Sequence, residues 1–187
     1  MNLSRRERHS RKVRVAAALL SLAALAACGG QPAGGGGAAP TMRFTENGVT
    51  VTLTVSDWNA PKGTLTAVFT PEEKGFHLYS TDLPATGIEG VGRPTAMDVT
   101  GVLRAEGKLT AAAEVRTISV PGVEAPVPVY PDGPVTATLP VRADGNGEAT
   151  VLLGYASCST QEGCTIPVSD RPVHLRVTAG GLAFGSS

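Results

Sequence analysis

Period-two alternation of apolar and polar residues is the feature that most restricts what this chain can fold into. It is clear in Val49-Thr-Val-Thr-Leu-Thr-Val55, in Thr64-Leu-Thr-Ala-Val-Phe69 and in Val135-Thr-Ala-Thr-Leu-Pro-Val141. Side chains along an extended strand point alternately to its two faces, so each such segment buries one face and wets the other. Ala149-Thr-Val-Leu-Leu-Gly-Tyr155 and Val173-His-Leu-Arg-Val177 read as two further strands, and Asp144-Gly-Asn-Gly147 as a tight turn between neighbours. No window sustains a helical period, and 14 prolines and 23 glycines interrupt any that might start. Several short strands at this spacing predict an all-β fold, an immunoglobulin-like antiparallel β-sandwich. Trp58 and Phe69 fit the core of such a sandwich better than a ligand-stacking role.

The first residues follow different rules. Arg5, Arg6, Arg8, Arg11, Lys12 and Arg14 precede an uncharged run from Val15 to Ala27, too short for a comfortable permanent span and ending in small residues. This predicts an export signal over residues 1–27. Leu25-Ala26-Ala27-Cys28 is similar to a bacterial lipobox, in which Cys28 is diacylated and becomes the mature N-terminus; ordinary cleavage near Ala24-Leu25-Ala26 is the alternative. Three cysteines in an oxidising compartment leave one unpaired, and lipidation of Cys28 would cap it. The expectation is a protein anchored to a bacterial membrane through Cys28, facing the periplasm or the cell exterior. Residues 28–41 are rich in Gly, Ala and Pro and read as a flexible tether, holding the domain roughly 20 Å from the anchor. Residues 42–180 read as one domain, large enough to bury a core without a disulfide, and residues 181–187 as a tail.

Charge narrows the partners. The chain has 16 basic and 16 acidic residues, and removing residues 1–27 leaves ten basic against fifteen acidic. A net negative surface with no basic or aromatic-interleaved patch argues against nucleic acid. Glu72-Glu73 and Asp170-Arg171 read as solvated turn charges, and no glycine loop precedes a helix to cradle phosphate.

Cys158 and Cys164 are the only cysteines of the domain, with five residues between them in Tyr155-Ala-Ser-Cys158-Ser-Thr-Gln-Glu-Gly-Cys164-Thr-Ile-Pro167. Such a pair can be a structural staple, a metal clamp or a redox couple. A metal site would need His77 or His174 to converge with both sulfurs, and the cysteine spacing is wider than structural zinc usually takes. His174 alternates with Val173 and Leu175 and is expected to face solvent. As a staple, so short a loop contributes only about 2 kcal/mol in the chain-entropy picture. Ser157, Ser159, Thr160, Gln161, Gly163 and Thr165 surround the pair with small polar groups, which suits exposed and reactive sulfur. Disulfide exchange needs one attackable sulfur and a second close enough to resolve the mixed disulfide, and the pair meets that need. Staple and redox couple both remain open on these grounds.

Lys74-Gly75-Phe76-His77-Leu78-Tyr79-Ser80, then Leu83-Pro84 and Gly92-Arg93-Pro94-Thr95, then Thr138-Leu-Pro-Val141 and the Tyr155 to Pro167 stretch, recur in this order in a known family. Together they resemble the N-terminal periplasmic domain of the disulfide-interchange reductase DsbD and its stand-alone relatives, the disulfide-bond corrector (DsbC-like) domains. The resemblance covers nearly the whole domain. It implies that Cys158 and Cys164 are catalytic, with Cys164 forming the mixed disulfide and Cys158 resolving it. Tyr155, Tyr130, Pro167 and His77 become candidate neighbours of that site. The implied partners are a membrane thiol transporter or a thioredoxin-like protein, and oxidised envelope proteins; no metal or other cofactor is implied. The chain departs from DsbD where that protein has an acidic, aromatic cap loop over its disulfide. Here Pro121 to Tyr130 is proline-rich with Tyr130 as its only aromatic. The alternative from another class is a non-enzymatic envelope lipoprotein whose Cys158–Cys164 bridge is structural and whose surface binds a partner.

Overall fold

The computed structural model describes residues 39–185. The expected export signal, Cys28 and all but the end of the expected tether lie outside the described residues. In chain order the strands are β1 (Thr41–Glu46), β2 (Val49–Asn59), β3 (Lys62–Pro71), β4 (His77–Leu78), β5 (Ala96–Gly101), β6 (Leu103–Ala105), β7 (Thr110–Ala111) and β8 (Arg116–Ile118). They continue with β9 (Val127–Val129), β10 (Val135–Ala143), β11 (Gly147–Tyr155), β12 (Ser157–Ser159), β13 (Gly163–Cys164), β14 (Val168–Thr178) and β15 (Gly181–Phe184). Among the described residues there is no helix.

Two antiparallel sheets face each other as an immunoglobulin-like sandwich. One has the order β1-β2-β3-β10-β6, with β7 also on β10, and the other the order β15-β14-β11-β5. Val51, Leu53, Leu65, Phe69 and Leu139 from the first sheet meet Val151, Leu153, Tyr155, Leu175 and Val177 from the second in one core, each at most 3 % exposed. These are the apolar members of the alternating segments. Phe69 packs edge-on against Tyr155, ring centroids 5.5 Å apart, while Trp58 is only half-buried at the core's margin. The opposite face of the first sheet carries a cross-strand row of threonines, Thr41, Thr54, Thr66, Thr138 and Thr110, one from each of five successive strands. Hydroxyls pair at both ends of this row, Thr41 with Thr54 at 3.4 Å and Thr110 with Thr138 at 3.0 Å. β-Branched side chains thus favour the pleat while their hydroxyls keep the outer face wet.

Three expectations need correction. The Asp144 to Gly147 turn joins β10 to β11, which belong to different sheets, so it carries the chain across the sandwich rather than closing a hairpin. Turn chemistry specifies a reversal of the chain, whereas sheet membership depends on distant strands. The domain also runs past residue 180: β15 pairs with β14, and Leu182, 7 % exposed, joins the core. Asp170 and Arg171 lie within β14, where Arg171 stacks over Phe44 at 4.0 Å and pairs with Glu46 at 2.9 Å.

At one end of the sandwich β11 runs through Ala156 into β12, the centre of a three-stranded sheet ordered β13-β12-β4. A β8–β9 ribbon stands beside it. The two are tied by a bridge between Tyr79 and Val129 and by the Tyr130 amide donating to the Leu78 carbonyl at 2.8 Å.

Candidate functional site

Cys158 on β12 and Cys164 on β13 face each other directly across the strand pair, and their sulfurs are bonded. Local sequence explains the reversal. Ser159 Oγ accepts from the amides of Gln161 and Glu162 at 3.2 and 3.4 Å, and Gly163 takes a φ of +93° that suits glycine. Beyond the pair, the Thr165 amide donates to the Ser157 carbonyl at 2.8 Å and the Ser157 amide to Thr165 Oγ1 at 3.2 Å, which clamps the return strand.

The two sulfurs live in different surroundings. Cys158 is 3 % exposed and packs with Tyr79, Leu83, Val127, Val129 and Ala156, whereas Cys164 is exposed and is followed by Ile166, 73 % exposed. The polar flanks led to the expectation of an exposed pair, which holds for Cys164 alone. Ser157 beside Cys158 is small enough to be fully buried, so the flank did not report the burial of its neighbour.

Tyr79 is the site residue that sequence reasoning left out. Its Oη lies 2.9 Å from Cys158 Sγ and 3.7 Å from Cys164 Sγ. Burial pushes its phenol pKa up, so the hydroxyl keeps its proton and can donate to sulfur. Gly92 makes room for it: at φ +89°, a Cβ there would meet the Tyr79 ring at 2.8 Å. The available signal was its spacing of two from His77, which places both on one face of a strand.

His77 on β4 pairs in register with Cys158, so Cys164, Cys158 and His77 form one cross-strand row. Its side chain is 5 % exposed, and Nδ1 lies 3.5 Å from Asp132 Oδ1. Burial lowers its pKa below the usual histidine value, opposed by the Asp132 carboxylate. His174, in contrast, sits exposed on β14 with Nδ1 3.2 Å from Thr150 Oγ1. Among the described residues no three His, Cys, Asp or Glu side chains gather as metal ligands.

Two cavities open on the disulfide. One, about 230 Å³, is walled by His77, Tyr79, Val91, Ile118, Val120 and Pro121 together with both cysteines. The other, about 290 Å³, has Gly92, Arg93 and Pro167 around the same sulfurs. The wall facing the first is therefore the start of the loop after β8, aliphatic in character. Of the remaining candidate neighbours, Tyr130 shares with His77 and Asp132 a cleft of about 410 Å³, and its hydroxyl accepts from the Thr81 amide at 3.0 Å. Tyr155 belongs to the sandwich core, its hydroxyl donating to the Glu46 carbonyl at 3.3 Å, and it lines neither disulfide cavity.

No family model matches the chain, and no curated protein matches it. Among solved structures the chain is similar to the N-terminal domain of Neisseria meningitidis DsbD in its reduced form, at 13% identity and a TM-score of 0.41, covering 79% of this chain and 90% of that one.

Proposed function

We propose that this chain is an extracytoplasmic thiol-disulfide relay, tethered to a membrane through a lipid on Cys28 and cycling Cys158 and Cys164 between dithiol and disulfide. The observation that carries the reading is the asymmetry of the two sulfurs. Exposed Cys164 can meet a partner sulfur, while buried Cys158 sits directly across from it with a phenol donor at 2.9 Å. In the exchange, the Cys164 thiolate attacks one sulfur of a partner disulfide, and the bonding pair leaves on the partner's second sulfur. The Cys158 thiolate then attacks Cys164 Sγ, re-forming the internal disulfide and releasing the partner's first sulfur. Two electrons and two protons pass to the partner. The reverse sequence, with a thioredoxin-like protein or membrane thiol transporter as donor, restores the dithiol. Apolar surroundings disfavour a thiolate at Cys158, and the Tyr79 hydroxyl offsets this by donating to it.

Burial of Cys158 on its own would also suit an inert structural bridge. The reduction potential separates the two. A relay lies among thioredoxin-like couples, between about −270 and −120 mV, and an inert bridge below about −300 mV. A value in the lower range, measured by equilibration with glutathione or dithiothreitol, would contradict the relay.

A further inference from the structure

We infer that His77 is the proton acceptor for Cys158: its Nε2 takes the proton from Cys158 Sγ–H as that sulfur attacks the mixed disulfide, while Asp132 holds the proton on Nδ1. This rests on the thiol-exchange reading. Register puts the imidazole on the same face as Cys158, one strand away, on the side opposite Cys164. Directly opposed residues in antiparallel strands have Cβ atoms about 5 Å apart, within reach of an imidazole and a thiol. His77 also contributes to the cavity that holds both sulfurs.

The ring's two nitrogens are treated differently. Nδ1 faces the Asp132 carboxylate at 3.5 Å, whereas Nε2 is buried and has no hydrogen-bond partner among the described residues. A buried polar atom without a partner is unfavourable in a finished core, and native structures retain few. In the disulfide state the sulfurs carry no proton to give. Reduction creates an S–H donor at Cys158 on the face of the unfilled acceptor. The titratable and charged groups around the ring are Tyr79 beyond β4, Tyr130 and Asp132 beyond β9, and Arg116 of β8, with Thr160 across the neighbouring cleft. Burial keeps the imidazole neutral near pH 7, its accepting form.

The step balances. The S–H bond of Cys158 breaks, its proton goes to His77 Nε2, and its electron pair forms the new bond to Cys164 Sγ. The pair from the broken mixed disulfide leaves on the partner sulfur, which takes its proton from the imidazolium or from water. A thiol of ordinary pKa, about 8.5, is only about 3 % thiolate at pH 7, so unaided ionisation leaves about thirty-fold in rate for a base to recover.

The test uses the chain with Cys28→Ala, so that Cys158 and Cys164 are its only thiols, reduced and mixed with dithiobis(nitrobenzoate), which releases one coloured thionitrobenzoate when Cys164 attacks and a second when Cys158 resolves. His77→Gln is expected to slow the second release about ten-fold at pH 7 and to converge on the wild type a unit above the ordinary thiol pKa, with the first release unchanged. Asp132→Asn, at a side chain 62 % exposed and so without risk to the fold, is expected to slow the second release about three-fold. Second-release pH profiles of both variants that coincide with the wild type would overturn the role of His77, and if His77→Gln fails to fold, Asp132→Asn decides alone. A failure of the relay reading is separately visible, as absence of exchange between the wild type and an oxidised thioredoxin-like protein.

Discussion

The sandwich and the small sheet at its end are built on opposite terms. In the sandwich, long strands meet in continuous ladders, and side chains such as Leu53, Phe69, Leu153 and Leu175 are at most 1 % exposed. In the end sheet, strands of two or three residues hold a disulfide with one exposed sulfur, a phenol aimed at sulfur and an imidazole nitrogen without a partner among the described residues. Stability is concentrated where the chemistry is absent. Under the proposed relay, a frame that stands without the disulfide would let the disulfide open and close without loss of the fold.

If the two regions are independent, damage to one should not spread to the other. The largest effect is expected from Phe69→Ala, which empties space against Tyr155 in the core and is expected to cost about 3–5 kcal/mol by urea unfolding. The same variant, held under folding conditions, is expected to react with dithiobis(nitrobenzoate) as the wild type does. Reduction of Cys158–Cys164 comes next, lowering stability by about 2 kcal/mol, since the loop closed is short. Loss of near-ultraviolet circular dichroism in mild dithiothreitol would instead make the bridge a staple of the whole domain. The smallest effect concerns His77. Its folded pKa lies below the ordinary value of 6.5, so the stability it contributes is present above about pH 6.5 and is lost as pH falls through the folded value. Urea midpoints at pH 7.5 and 5.5 are expected to differ less in His77→Gln than in the wild type, and an unchanged difference would remove His77 from the account of acid sensitivity.

What the sequence reveals follows the same division. Val49 to Val55, Thr64 to Phe69, Val135 to Val141, Ala149 to Tyr155 and Val173 to Val177 are all strands, because burying one face of a long strand writes a period of two into the residues. The turn at Asp144 to Gly147 was legible as a turn, yet its passage between sheets depends on how β10 and β11 pair elsewhere. β4, β12 and β13 are too short to carry a period. Tyr79 meets Cys158 across 79 residues of sequence, and no local pattern encodes that distance. The family-like motifs contain both tyrosines but do not say that Tyr155 turns into the core while Tyr79 turns to the sulfurs. Burial of Cys158 under Val127 and Val129 is likewise a product of the β9 ribbon arriving from elsewhere in the chain.

On the proposed reading, Cys164 is the sulfur a partner meets and Cys158 the one that resolves. Mass spectrometry of variants lacking one or the other of these two cysteines, after mixing with an oxidised thioredoxin-like protein, assigns the roles. Cys158→Ser should accumulate a partner-linked disulfide at Cys164, because the attackable sulfur remains and the resolving one is gone. Cys164→Ser should accumulate little, since Cys158 is 3 % exposed. Adducts confined to Cys158 would contradict this assignment of roles, and no adduct on either variant would contradict the relay itself.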